Sequence, residues 1–301
     1  MSKEQIQQSI NMVNEYLKEN QMSKSAFAKA INVSPATLSL FLNDGYKAPH
    51  TVIPKIEAYL KVQEQKQIAP QRPDFQPTHV SKTVMDVITY CHIQGVMGTA
   101  YGDAGIGKTE GAREYCRQNT DAIMITISPV FANTKGVNEL LCEELRITDK
   151  RTNMAAYMSI VRKLRNSNRV VIIDEAQHLT IKTLEHLRSM IVDDSCCGLV
   201  LIGNEMIYNR MTGKQEAQLA QLFSRIAIRK NVLTTSVQFE DMVKLFPTLG
   251  EEEQKFLYRI SHSSKWGVRG AVNLYLNAAG NGDLTIEGLV SMAKFMGIGF
   301  N

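Results

Sequence analysis

The sequence predicts an α/β fold: a parallel sheet covered by helices, with a small all-α domain ahead of it and a helical domain behind it. Three observations carry this. Between residues 80 and 235, apolar runs of strand length alternate with stretches of helical periodicity, as in a parallel sheet with crossover helices. A glycine-rich turn, Gly102-Asp-Ala-Gly-Ile-Gly-Lys-Thr109, follows the first run and opens a helix. The run Val170-Val-Ile-Ile173, ahead of Asp174-Glu175, is too apolar for a strand with one face in water, so it belongs inside a covered sheet.

Residues 1–61 read as short helical segments. Phe27, Ala28 and Ile31 share a face, Asn32-Val33-Ser34 forms a turn, and Ser34 followed by Pro35 is an N-cap with proline at the first helical position. Leu38, Phe41 and Leu42 stripe the second helix, and Val33 supplies the aliphatic residue between the two. This predicts a helix-turn-helix whose outward face, Ala36, Thr37, Ser39 and Asn43, suits a DNA groove, with Lys47 placed to touch phosphate. An ordinary helical hairpin is the alternative. Residues 62–79 are rich in Gln and Pro and nearly free of aliphatics, which predicts a linker held partly extended by Pro70, Pro73 and Pro77.

The core, residues 80–235, opens with a strand at 96–100 that Gly98 weakens, and a helix at 110–117 follows the glycine turn. Next come a strand at 122–128, helices at 137–145 and 155–165, the strand ending at Asp174, a helix at 181–192, and strands at 198–204 and 225–231. Residues 236–301 read as helices only, separated by Pro247 and glycines, and form a C-terminal helical lid domain.

The glycine turn has the spacing G-x-x-x-x-G-K-T of a P-loop. Gly102, Asp103, Ala104, Gly105, Ile106 and Gly107 would curl backbone N–H groups around phosphate, Lys108 would reach the terminal phosphates, and Thr109 would offer its hydroxyl to Mg²⁺. Glu110 closes that stretch. Asp174 would organise the Mg²⁺ shell, and Glu175 would activate an attacking water.

Composition narrows the alternatives. Of 301 residues, 44% are hydrophobic, ample for a packed core and far from a disordered chain. The net charge of +4 permits nucleic-acid contact without demanding it, and basic residues cluster at 150–151, 162–169 and 225–230. Five cysteines, an odd number with no C-x-x-C pair, suit neither a disulfide framework nor a zinc site, and His178 and His186 lack metal-ligand spacing. No signal peptide or membrane-length apolar run is present, so a reducing cytoplasm is expected.

The order of P-loop, Asp174-Glu175, a strand ending in Asn204, then Phe223-Ser-Arg225 resembles the AAA+ ATPases. That resemblance implies a sensor role for Asn204, orienting the water that attacks the γ-phosphate of ATP. It implies that Arg225 is an arginine finger inserted into a neighbouring subunit's site, so that catalysis needs a homo-oligomer. AAA+ lids often carry G-x-x-R as a second sensor; here Trp266-Gly-Val-Arg269 puts the arginine one residue early. With the helix-turn-helix in front, the whole chain resembles the target-selection ATPases of DNA transposition in Mu-like phages and prophages, through residues 107–115, 171–179, 198–204 and 222–227. This implies an ATP-dependent protein of the bacterial cytoplasm that forms helical filaments on duplex DNA with little sequence preference. It would deliver target DNA to a transposase, stimulate strand transfer, and be stripped from DNA near the element's ends by transposase-stimulated hydrolysis, which gives target immunity. Lys135, Lys150 and Arg151 are candidates for the phosphate-contacting surface. A helicase loader would instead bind a helicase and single-stranded DNA, and a nucleotide-regulated transcription factor would hold one specific site at physiological salt.

Overall fold

The computed structural model describes residues 3–148, 151–206 and 224–299, in two compact units, residues 1–70 and 71–301. The first is all-helical: α1 (Lys3–Glu19), α2 (Lys24–Ala30), α3 (Pro35–Leu42) and α4 (Ile53–Ile68). Ser23 caps α2 and Ser34 caps α3, each accepting a backbone N–H three residues on, and Pro35 stands in the first turn of α3. Asn32 makes the turn between them with φ 53°, a conformation Asn tolerates better than most. Phe27, Ala28, Ile31, Leu38 and Phe41 are buried together with Ile53 and Ile56 of α4. Ala36, Ser39, Asn43 and Lys47 are exposed, whereas Thr37 is half-buried and its hydroxyl is engaged by Ser34 at 2.8 Å.

The expected linker from residue 62 is shorter than the sequence suggested. Helix α4 runs through Ile68, and the extended segment starts at Ala69.

The second unit opens with α5 (His79–Gln94) and β1 (Met97–Gly102), then α6 (Lys108–Gln118), β2 (Ala122–Thr126), α7 (Thr134–Glu144), α8 (Asn153–Leu164) and β3 (Val170–Asp174). After these come α9 (Ile181–Leu187), which widens into a π-turn over Arg188–Asp193, then β4 (Gly198–Gly203) and β5 (Ile226–Val232). The five strands pair in parallel in the order β2-β3-β4-β1-β5. One face is covered by α7, α8 and α9 and the other by α5 and α6, so β3 is buried along its whole length. Burying Val170, Val171, Ile172 and Ile173 contributes about 1.5–3 kcal/mol each and pins Asp174 at the carboxyl rim of the sheet. Gly98 weakens β1 by sequence rules, yet it is required. A Cβ there would stand 2.8 Å from the Ile228 side chain and run into the Cys91 sulfur of α5.

Helices α10 (Phe239–Leu245), α11 (Glu251–Ser261), α12 (Gly267–Gly280) and α13 (Ile286–Phe295) form the lid around Phe246, Leu257 and Leu274. Ile106 of the glycine turn belongs to that lid cluster rather than to the sheet's core. Among the described residues no helix is long and apolar enough to cross a membrane.

Candidate functional site

The glycine turn leaves β1 at the sheet's carboxyl rim, where ligands of open α/β sheets bind. Gly102 has φ +137°, and a Cβ on it would collide with the Val232 carbonyl. Gly107 has φ +100° with open space around it, so conformation alone demands glycine there. Helix α6 starts at Lys108 with no side chain capping it, which leaves its first N–H groups for an incoming anion.

Lys108 is buried, and its ammonium donates to the carbonyls of Gly102 (3.0 Å) and Asp103. Burial pushes its pKa down to about 8, with Arg269 pushing the same way and Asp103, Asp174 and Glu175 opposing. The Thr109 hydroxyl lies 3.2 and 3.3 Å from the two Asp174 oxygens. Burial raises the Asp174 pKa and the neighbouring Glu175 raises it further, while Thr109 and Arg113 hold it back. A hydroxyl beside a buried carboxylate at the foot of the P-loop is the donor set a Mg²⁺-bound phosphate needs. Among the described residues no cluster of three or more His, Cys, Asp or Glu could hold a metal by itself, so phosphate oxygens and water would complete any shell.

A cavity of about 690 Å³ opens over the loop, within the range for a small-molecule site. Residues from Ala104 to Glu110 line its floor, and Asp174, Glu175 and Asn204 line its rim. Gly102 and Asp103, both expected at the phosphate, lie outside the cavity lining. Gly102 packs below the loop against Val232, and the Asp103 carboxylate instead accepts the Thr234 N–H at 2.7 Å, tying the loop to the chain entering the lid. Asn204 lines the cavity and also caps its own turn, accepting the Met206 N–H at 3.0 Å. The early spacing of Arg269 does not keep it from the cavity: it lies in the first turn of α12, and its backbone N–H donates to the Gly105 carbonyl at 2.8 Å.

Other lining groups were not singled out by sequence. Residues 72–76, inside the expected linker, form one wall, with Phe75 the aromatic among them, and Asn273 of α12 faces the same space. Gln177, too, lines the cavity. Phe75 is the one sequence signal here, an aromatic residue in an otherwise polar and proline-rich stretch.

Arg225 is exposed and immediately precedes β5, whose Ile226 pairs with Met97, the first residue of β1. The P-loop leaves the other end of β1, about 17 Å along the strand. The structure therefore separates Arg225 from the P-loop of its own chain. Lys135 is exposed, but it lies in the first turn of α7 rather than in a loop, 3.9 Å from Glu139. Arg151 is exposed just ahead of α8, and Lys150 and Phe223 lie outside the described residues.

Residues 94–211 match the AAA domain family, a span that includes the P-loop, Asp174-Glu175 and Asn204. The Mu-like prophage FluMu DNA transposition protein B of Haemophilus influenzae is 32% identical over 231 residues, 75% of this chain and 80% of that one. The ATP-dependent target DNA activator B of Escherichia phage Mu is 32% identical over 237 residues, 76% of this chain and 74% of that protein. The chain belongs to the transposition protein B family. The AAA-domain match agrees with the parallel α/β sheet and covers β1 to β4, whose ends build the cavity. The fold is also similar to a chain of Drosophila ORC bound to DNA, with TM-score 0.52 over 77% of this chain and 64% of that one; at 12% identity the likeness is one of fold.

Proposed function

We propose that the protein is an ATPase that assembles on duplex DNA and presents it as a target for transposition. In this reading Lys108 neutralises the terminal phosphates, and Thr109 with Asp174 would hold Mg²⁺, which when bound would offset phosphate charge. Glu175 takes the proton of the attacking water, Asn204 orients that water, and Arg269 steadies the phosphate chain from the lid. Arg225 acts on the next subunit's nucleotide. The observation that carries the reading is the convergence of Lys108, Thr109, Asp174 and Glu175 on one cavity, with Arg225 held away from it.

Because the finger and the rest of the site come from different subunits, ATP would bridge neighbours in a helical filament. Lys135, Lys150 and Arg151 would meet DNA phosphates, and the helix-turn-helix face of Ala36, Thr37, Ser39, Asn43 and Lys47 would add contacts. With no arginine on that face, little base discrimination is expected. In the host cytoplasm, DNA and the cognate transposase would stimulate hydrolysis, and loss of filament near the element's ends would give target immunity.

Electron microscopy on random-sequence duplex tests this. Continuous filaments are expected with ATP, none with ADP and none for Lys108→Ala. Affinity is expected to fall by about a hundredfold or more between 50 and 200 mM salt, as for several phosphate contacts. Discrete particles at one site, indifferent to nucleotide, would overturn the proposal in favour of a sequence-specific regulator.

A further inference from the structure

Glu175 does not hang freely at the end of β3. Its backbone is left-handed, φ 56° and ψ 33°, and turns the chain sharply into the single 3-10 turn Ala176–His178. That turn brings Gln177 back under the carboxylate. The Gln177 Nε2 donates to Glu175 Oε2, and its Oε1 accepts the backbone N–H of Asn204 at 3.2 Å. The side chain is buried, and Asn204 is the first residue after β4, the strand paired to β3.

The orientation of this amide follows from its partners. A carboxylate can only accept and an N–H can only donate, so flipping the amide would break both contacts at once. One planar group therefore spans the ends of two strands and fixes two residues on the same cavity. We propose that Gln177 is a positioning residue that sets the Glu175 carboxylate and the Asn204 turn in a single register, so that base and water-orienting group move together. The inference rests on the ATPase reading, and it adds a residue to which neither the P-loop nor the acid-pair motif assigns a role.

A group that only filled space would tolerate any side chain of its size. Gln177→Glu has that size and still accepts from Asn204, but it cannot donate to Glu175 and sets a second carboxylate against it. Gln177→Leu loses both contacts. Full-length variants should be compared on random-sequence duplex for ATP turnover, binding of a fluorescent ATP analogue, and amide exchange at Asn204. Both variants are expected to lose about tenfold or more in kcat with nucleotide affinity within about twofold of wild type, since the contact acts on the reacting groups and not on the bound phosphates. Asn204 exchange should quicken about tenfold or more in Gln177→Leu and stay slow in Gln177→Glu.

Wild-type turnover in Gln177→Glu, or nucleotide affinity falling in step with kcat, would overturn the inference. Gln177→Glu decides the matter if Gln177→Leu does not fold. A wild-type protein that binds ATP but turns none over, with Asn204 exchange behaving as described, overturns the ATPase reading and leaves the clamp standing.

Discussion

In the proposed ATPase, Lys108 is the residue whose charge meets the phosphates, and its burial sets a pH window. In the protein without nucleotide its pKa is pushed to about 8, chiefly because a buried ammonium loses its hydration. An arriving phosphate chain restores the cation, so above about pH 8 binding must take up a proton. ATP affinity, followed by fluorescence titration, is therefore expected to be level below about pH 7.5 and to weaken by about tenfold per pH unit above about 8. Lys108→Arg keeps its charge throughout that range, so it should bind less well but without this slope. Between about 8 and the ordinary 10.5 the native lysine holds fewer protons than the unfolded one, so this group makes folding stability rise with pH there. The residues proposed for the phosphate side are legible in the sequence because their spacing is local: one loop and one strand end bring Lys108, Thr109, Asp174 and Glu175 to one cavity. Gln177 and residues 72–76 are not, because their roles depend on which strand ends are neighbours and on where a proline-rich segment crosses the cavity.

At the scale of elements, the P-loop is packed into the lid. Ile106 is 1% exposed within the lid's apolar cluster, and Gly267, with φ +58°, lets the start of α12 approach the loop backbone. A Cβ on Gly267 would lie 2.9 Å from the Ala104 carbonyl and 3.0 Å from that of Gly105, the carbonyl that accepts the Arg269 N–H. Gly267→Ala combines a strained backbone with this clash and is expected to cost about 2 kcal/mol, or roughly 4–8 °C in Tm. It should also weaken ATP binding, because the displaced carbonyls belong to the phosphate loop. Gly282→Ala is the comparison: φ is +73° but nothing lies within 4 Å, so stability should fall while ATP affinity stays within about twofold. Equal nucleotide affinity in both variants would show that lid and loop are not coupled. The alternating strands and helices were legible from apolar periodicity alone, and the length of α4 was not. Between Val62 and Ile68 there is no aliphatic residue, which reads as linker, yet Gln, Lys and Glu are good helix formers and nothing stops the helix before Pro70.

At the scale of the whole molecule, parallel pairing decides how subunits of the proposed assembly would have to cooperate. Because β5 runs alongside β1, Arg225 at its start and the P-loop at the end of β1 lie at opposite rims of one rigid sheet. No side chain spans that length, so Arg225 can serve a phosphate site only in a second copy, with the Arg225 end of one chain set against the phosphate site of the next. Such a head-to-tail contact is heterologous and propagates into a ring or a filament. Mixing variants tests this directly. In the proposed mechanism Arg225→Ala keeps an intact phosphate site but offers no finger, and Glu175→Gln keeps the finger but lacks the base. Each alone should show little DNA-stimulated hydrolysis. In an equimolar mixture a site is complete wherever an Arg225→Ala subunit meets the finger of a Glu175→Gln neighbour. Random assembly makes that about a quarter of all sites, so about a quarter of wild-type turnover should return. Turnover no higher in the mixture than in either variant would mean that the arginine does not act across the interface, and the head-to-tail assembly would lose its chemical reason.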